Sequence, residues 1–139
     1  MPIRHVIFTS MQSACERPAW RNWAVISVTD VGADDAPLQR GWHDVFWLGF
    51  DDIEHEVDGY LMFGEYHARE IIQFVKRCAE DNKVEGILVH CRAGISRSAA
   101  VAKWICDRHQ LAFPADYDQY NQNVYKTLQE EHLLVGFWR

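Results

Sequence analysis

The chain reads as an α/β domain, a central and mostly parallel sheet flanked by helices on both faces. Three observations predict this class. Short apolar runs of strand length alternate with longer stretches of helical period, the order that crossover connections between parallel strands require. A glycine-containing segment joins an apolar run at 84–89 to a helical stretch from 95, which marks a strand–loop–helix unit. A length of 139 residues, 48% hydrophobic and 24% charged, suits one domain over 1–139 with a modest core and is far from a disordered composition.

The elements follow in order. Residues 3–9 suit a first strand, and the polar stretch 10–21 a loop or short helix. Residues 23–28 form a second buried-strand candidate, closed by an exposed loop at 30–41 that holds Gly32, Asp34, Asp35 and Pro37. A third strand at 45–48 delivers the chain to Phe50-Asp51-Asp52. Helical periodicity runs from about 64 to 81, with Ala68, Ile71, Ile72, Val75 and Cys78 or Ala79 on one face, and Asn82 and Lys83 close it. After the strand at 84–89 comes a helix at 95–109. A last helix is expected over about 115–131, entered at Pro114 and packed through Tyr117, Tyr120, Val124 and Leu128. No internal repeat or low-complexity tract interrupts this order.

The formal net charge of −6, with no basic run, argues against a general nucleic-acid or membrane-surface binder, which would need cationic residues to displace counterions. No apolar run approaches the length that spans a bilayer. Four cysteines show no paired spacing and no signal-peptide pattern precedes them, so reduced thiols and a cytoplasmic setting are expected. Cys78 and Cys106 fall among apolar neighbours as small hydrophobes, while Cys15 is open to a regulatory partnership with Cys91. The histidines at 5, 43, 55, 67, 109 and 132 lack a metal-ligand spacing, so no metal and no cofactor is assigned.

The most informative segment is His90-Cys91-Arg92-Ala93-Gly94-Ile95-Ser96-Arg97-Ser98. A strand that turns straight into a helix leaves the first helical N–H groups without intrahelical partners and aimed at whatever occupies the loop. Cys91, at the strand end, lies beneath those donors and the positive end of the helix dipole, and both favour a thiolate. Arg97 can fold back and offer a planar two-pronged donor to phosphate oxygens. Gly94 permits the tight turn. Ligands of open parallel sheets bind at the carboxyl ends of the strands, which is where Cys91 falls.

His90, Cys91, Arg97 and Ser98, with five residues between cysteine and arginine, resemble the signature of the cysteine-dependent protein tyrosine phosphatase superfamily. The wording Ala-Gly-Ile-Ser-Arg-Ser looks most like its small dual-specificity branch. The resemblance implies a phosphatase-type signature loop whose residues Arg92, Ala93, Gly94, Ile95, Ser96 and Arg97 bind the substrate phosphate, with His90 supporting the loop backbone and lowering the cysteine pKa. Ser98 then hydrogen-bonds the sulfur, the alternative being an N-terminal cap of the helix.

Thiolate attack on phosphorus expels an alkoxide or phenoxide, so an acid must protonate that oxygen. Asp52 is the candidate. It follows the third strand, at the same sheet edge as Cys91 if the strands are parallel, and Phe50-Asp51-Asp52 looks like the mobile acid loop of small relatives, in which the second aspartate acts. Leu48-Gly49 stands where many relatives carry tryptophan-proline. Asp51 and Asp58 are the rivals, and two neighbouring side chains on extended backbone face opposite ways. The stretch between Asp52 and Cys91 is longer than in compact relatives, with the excess at 54–65 shaping the rim.

Together these residues imply hydrolysis of phosphate monoesters through a phosphocysteine: phosphotyrosine, and also phosphoserine or phosphothreonine, on proteins. The alternatives are an inactive module that captures phosphorylated partners and a phosphatase of a non-protein phosphate ester. Ala93 and Ile95 stand where relatives acting on polyphosphoinositides carry lysines, which argues against highly charged inositol lipids, although Arg92 keeps that class open. One of Trp20, Trp23, Trp42, Trp47 and Trp138 is a candidate to stack on an aromatic substrate at the rim.

Overall fold

In a computed structural model that describes residues 3–135, four strands hydrogen-bond into one sheet: β1 (His5–Ser10), β2 (Trp23–Thr29), β3 (Asp44–Gly49) and β4 (Gly86–Cys91). Their order is β1-β4-β2-β3 and every pairing is parallel. The central pair, β2 and β4, is buried along its whole length, the pattern expected of strands covered on both faces.

Alternation of side chains sorts these strands into two cores. Ala24, Ile26 and Val28 of β2, with Ile87 and Val89 of β4, join the larger cluster beneath α2 (Glu65–Glu80), α3 (Arg97–His109) and α4 (Gln122–Val135). Trp23, Val25 and Leu88 point the other way, to Ala14 of α1 (Met11–Glu16) and Trp42. The two coverings are unequal, since three long helices lie on one face and a short helix with loop on the other. Trp23 lies directly over Gly86, where a Cβ would come within 2.5 Å of the indole.

Most predicted elements stand within two residues of their expected bounds. The polar stretch after β1 forms α1, capped by the Ser10 hydroxyl, which accepts from the Ser13 N–H at 3.1 Å. The last helix is the correction. It does not begin near residue 115 at Pro114 but at Gln122, because Asn121 supplies the cap: its Oδ1 accepts the Val124 N–H at 3.0 Å. Val124 and Leu128 are buried as expected, whereas Tyr117 and Tyr120 sit in the loop before the helix.

Register brings the ends of the strands to one edge. Ser10 pairs with Cys91, Ser27 with His90 and Thr29 with Gly49, so Asp30, Phe50 and Cys91 emerge side by side. Among the described residues no helix is long and apolar enough to cross a membrane.

Candidate active site

Cys91 ends a central strand, and the chain turns at once through residues 92–96 into α3. Gly94 makes the turn possible twice over. Its φ is +75°, and a Cβ there would lie 2.3 Å from the Ser10 amide nitrogen, so only glycine fits against the end of β1. The Met11 N–H donates to the Arg92 carbonyl at 3.3 Å and ties the loop to α1.

The loop encloses the sulfur. The Gly94 N–H donates to Cys91 Sγ at 3.3 Å, and Ser98 Oγ lies 3.1 Å from the same atom. Ser98 is fully buried in the first turn of α3, so the alternative role as a cap is not the one it has. Ser96 occupies the N-cap position, but its hydroxyl makes no cap and donates instead to Asp52 Oδ1 at 2.8 Å. The first N–H groups of α3 are thereby left without a side-chain acceptor beside the sulfur, the arrangement that receives an oxyanion.

Arg97 folds back toward the end of the third strand, and its side chain is 5% exposed. Its Nη1 donates to the Phe50 carbonyl at 2.8 Å and to Asp30 Oδ1, also at 2.8 Å. Its Nε is buried with no hydrogen-bond partner among the described residues. An unmet buried donor costs roughly 1–3 kcal/mol, a cost explained if a ligand oxygen is the missing acceptor.

The two neighbouring aspartates, Asp51 and Asp52, have different partners. Asp51 accepts from the Leu61 N–H at 2.8 Å and the Val31 N–H at 3.3 Å, pinning two loops with its two oxygens. Asp52 reaches the signature loop, where Oδ1 accepts from Ser96 Oγ and from Asn121 Nδ2 at 2.9 Å. Asp58 lines a separate hollow formed by residues 56–64. His90 is fully buried, with Nε2 2.6 Å from Ser27 Oγ and Nδ1 3.5 Å from the Cys91 carbonyl. Burial first, and then Arg97, holds its pKa below the usual imidazole range, so it is a neutral strut between two strands.

Sequence reasoning missed four residues. Asp30 opens a segment whose composition reads as an exposed loop, yet it pairs with Arg97 and, through Oδ2 at 3.4 Å, with Arg92; its place directly after a buried strand at the shared edge is the available signal. Asn121 was hidden inside an expected helix, although an asparagine before an apolar periodic stretch is a cap signal. Tyr117 donates its hydroxyl to the Ile95 carbonyl, and burial, with the Cys91 sulfur as a second cause, pushes its pKa above the usual range, so it stays a donor. Tyr60 replaces the expected tryptophan at the rim.

The cleft over the sulfur has a volume of about 620 Å³ and is lined by Asp30, Asp52, Tyr60, Arg92, Arg97 and Ile95, among others. Trp23 and Trp42 are in the small core, Trp20 and Trp47 lie away from the cleft lining, and Trp138 lies outside the described residues. Tyr60 comes from the stretch in which the excess length was placed. Burial pushes the Cys78 thiol up to about 12 and that of Cys106 to about 11, and burial with Glu16 nearby raises Cys15.

Sheet order, strand-end cysteine and loop together define the class, an α/β domain with a phosphatase-type signature loop. No family model and no curated protein matches the sequence. Among solved structures, the chain is similar to human DUSP28, with a TM-score of 0.61 and 15% identity over 96% of this chain and 95% of that one. A human tyrosine phosphatase-like serine/threonine/tyrosine-interacting protein matches with a TM-score of 0.61 and 16% identity, over 94% and 92% of the two chains. A mouse protein assigned as a dual specificity phosphatase, complexed with zinc tungstate, matches with 0.54 and 18% over 85% and 75%. At these identities the likeness is one of fold: the chain shares the α/β architecture of these three solved structures.

Proposed function

We propose that residues 1–139 form one cytoplasmic phosphatase domain that hydrolyses phosphate monoesters through a phosphocysteine intermediate, acting on phosphotyrosine and also on phosphoserine or phosphothreonine of proteins. The observation that carries this reading is the sulfur of Cys91 set under the Gly94 N–H and beside Ser98, with the buried Nε of Arg97 meeting no acceptor among the described residues. A phosphate dianion is the ligand whose oxygens would satisfy Arg97 and the uncapped turn of α3 together. Tyr60, Ile53 and Ile95 give the cleft apolar walls suited to an aryl ester.

In the first step the thiolate of Cys91 attacks phosphorus in line, the S–P bond forms and the ester P–O bond breaks. Arg97 and the amides of residues 92–97 hold the equatorial oxygens, and Asp52 gives its proton to the leaving oxygen. In the second step Asp52, now a carboxylate, takes a proton from water as that water attacks phosphorus. The S–P bond breaks, inorganic phosphate leaves, and Ser98 donates to the departing thiolate.

Replacement of Cys91 by serine tests the reading. Wild type is expected to release inorganic phosphate from p-nitrophenyl phosphate under vanadate-sensitive conditions, with turnover by Cys91→Ser at least about 10⁴-fold lower while phosphotyrosine peptides still bind. Phosphate binding by the wild type without turnover would convert the reading to a capture module. Retained turnover by Cys91→Ser would remove the phosphocysteine.

A further inference from the structure

We infer that Asn121 is the positioning residue of Asp52, an inference that rests on Asp52 being the acid of the proposed reaction. Asn121 is 1% exposed and its polar groups are engaged on three sides. Its Nδ2 donates to Asp52 Oδ1 at 2.9 Å and to the Ile53 carbonyl at 3.1 Å. Its Oδ1 caps α4 through the Val124 N–H, and its own N–H donates to the Ser96 carbonyl at 3.1 Å. One buried side chain thus clamps the acid loop, the signature loop and the start of α4.

The consequence for Asp52 lies in which oxygen is held. Asn121 and Ser96 both donate to Oδ1, so that oxygen can only accept. The acidic proton is therefore carried by Oδ2, whose direction the two bonds set. A carboxyl group on an exposed loop would otherwise rotate between many orientations, and misplacement of an acid by about 1 Å costs up to ~10²-fold in rate. Both donors also remain correctly placed for the carboxylate that serves as base in the second step.

The test compares kcat/KM for phenyl phosphate, whose leaving group needs a proton, with that for p-nitrophenyl phosphate, whose leaving group needs little help. Asn121→Ser keeps a good cap for α4 but is too short to reach Asp52. It is expected to lower kcat/KM on phenyl phosphate by roughly 10- to 100-fold and on p-nitrophenyl phosphate by less than about threefold. In an Asp52→Ala background the same change should add no further leaving-group dependence. Should Asn121→Ser fail to fold by circular dichroism, Asn121→Asp replaces it, because it retains the cap oxygen and removes only the donor. That variant should show the same selective loss, with the basic limb of the pH profile moved upward by the second carboxylate beside Asp52. Equal losses on both substrates, or losses that add to those of Asp52→Ala, would assign Asn121 a purely structural role and overturn the inference. If the wild type turned over neither ester, the phosphatase reading itself would fall and the positioning role with it.

Discussion

Cys91, Gly94 and Ser98 meet around one sulfur within a single turn of chain, whereas Asp52 takes its two donors from Ser96 and Asn121, 44 and 69 residues further on. Arg97 falls between these cases, local in backbone but held by the Phe50 carbonyl across 47 residues and by Asp30. The surroundings of Cys91 are built by chain geometry, and their weak points are backbone ones. The surroundings of Asp52 are built by docking, and their weak points are the side chains that fasten one loop to another.

The largest break in that comparison should come from Gly94→Ala. The new Cβ would meet the end of β1 at 2.3 Å and strain a left-handed residue, so several loop donors would move together. Activity should fall by at least about 10³-fold, since one misplaced oxyanion donor alone costs about 10²–10³. Urea unfolding should show a stability loss of about 1–3 kcal/mol. Activity close to wild type would mean that the loop is not the oxyanion cradle.

Next in size is the contrast between the two aspartates. Asp52→Ala should lower kcat by about 10²–10³-fold with little change in KM and abolish the basic limb of the pH profile with aryl phosphates. Asp51→Ala should leave that limb in place and instead destabilise the fold by about 1–3 kcal/mol, because the Val31 and Leu61 N–H groups lose their acceptor. The reverse pattern would transfer the acid to Asp51.

Asp30→Asn probes the halfway case. It keeps the shape of the side chain but removes the charge that holds Arg97 Nη1, so phosphate binding by the Cys91→Ser protein should weaken by about tenfold by calorimetry. Tighter binding would instead make Asp30 a competitor of the substrate for Arg97.

The smallest effect concerns the strut behind the loop. Burial holds the pKa values of His90, His67 and His109 below the usual imidazole range, so all three are neutral in the fold and take up protons on unfolding in acid. Their contribution is complete above the unfolded value of about 6.5 and is lost as pH falls below it. Stability measured by urea should therefore decline between pH 6.5 and 5, with a shallower slope for His90→Asn. An unchanged slope would show that His90 has the same pKa folded and unfolded.

The loop around Cys91 was legible because its geometry depends on residues close in sequence. A strand end, a glycine able to take positive φ and an arginine six places on constrain one another through bond geometry alone. The parallel sheet was legible for a related reason, since buried strands such as 23–28 carry an apolar run that no solvated segment tolerates. The start of α4 was not, because Pro114 and the tyrosines after it satisfy a helical pattern as well as a loop does. The cap at Asn121 wins only once Asp52, Ile53 and Ser96 are present to bond its other groups.

What the residues determined unaided is therefore the sulfur, its glycine turn and the arginine meant to face an anion, all within reach of one short stretch of backbone. Tertiary structure alone decided that Ser96 and Asn121 hold Asp52 while Asp51 pins two other loops, that Asp30 and the Phe50 carbonyl hold Arg97, and that Tyr60 rather than a tryptophan stands at the mouth. The physical reason is that these choices follow from hydrogen bonds closed over dozens of residues. Such contacts exist only after the sheet edge has brought their partners together.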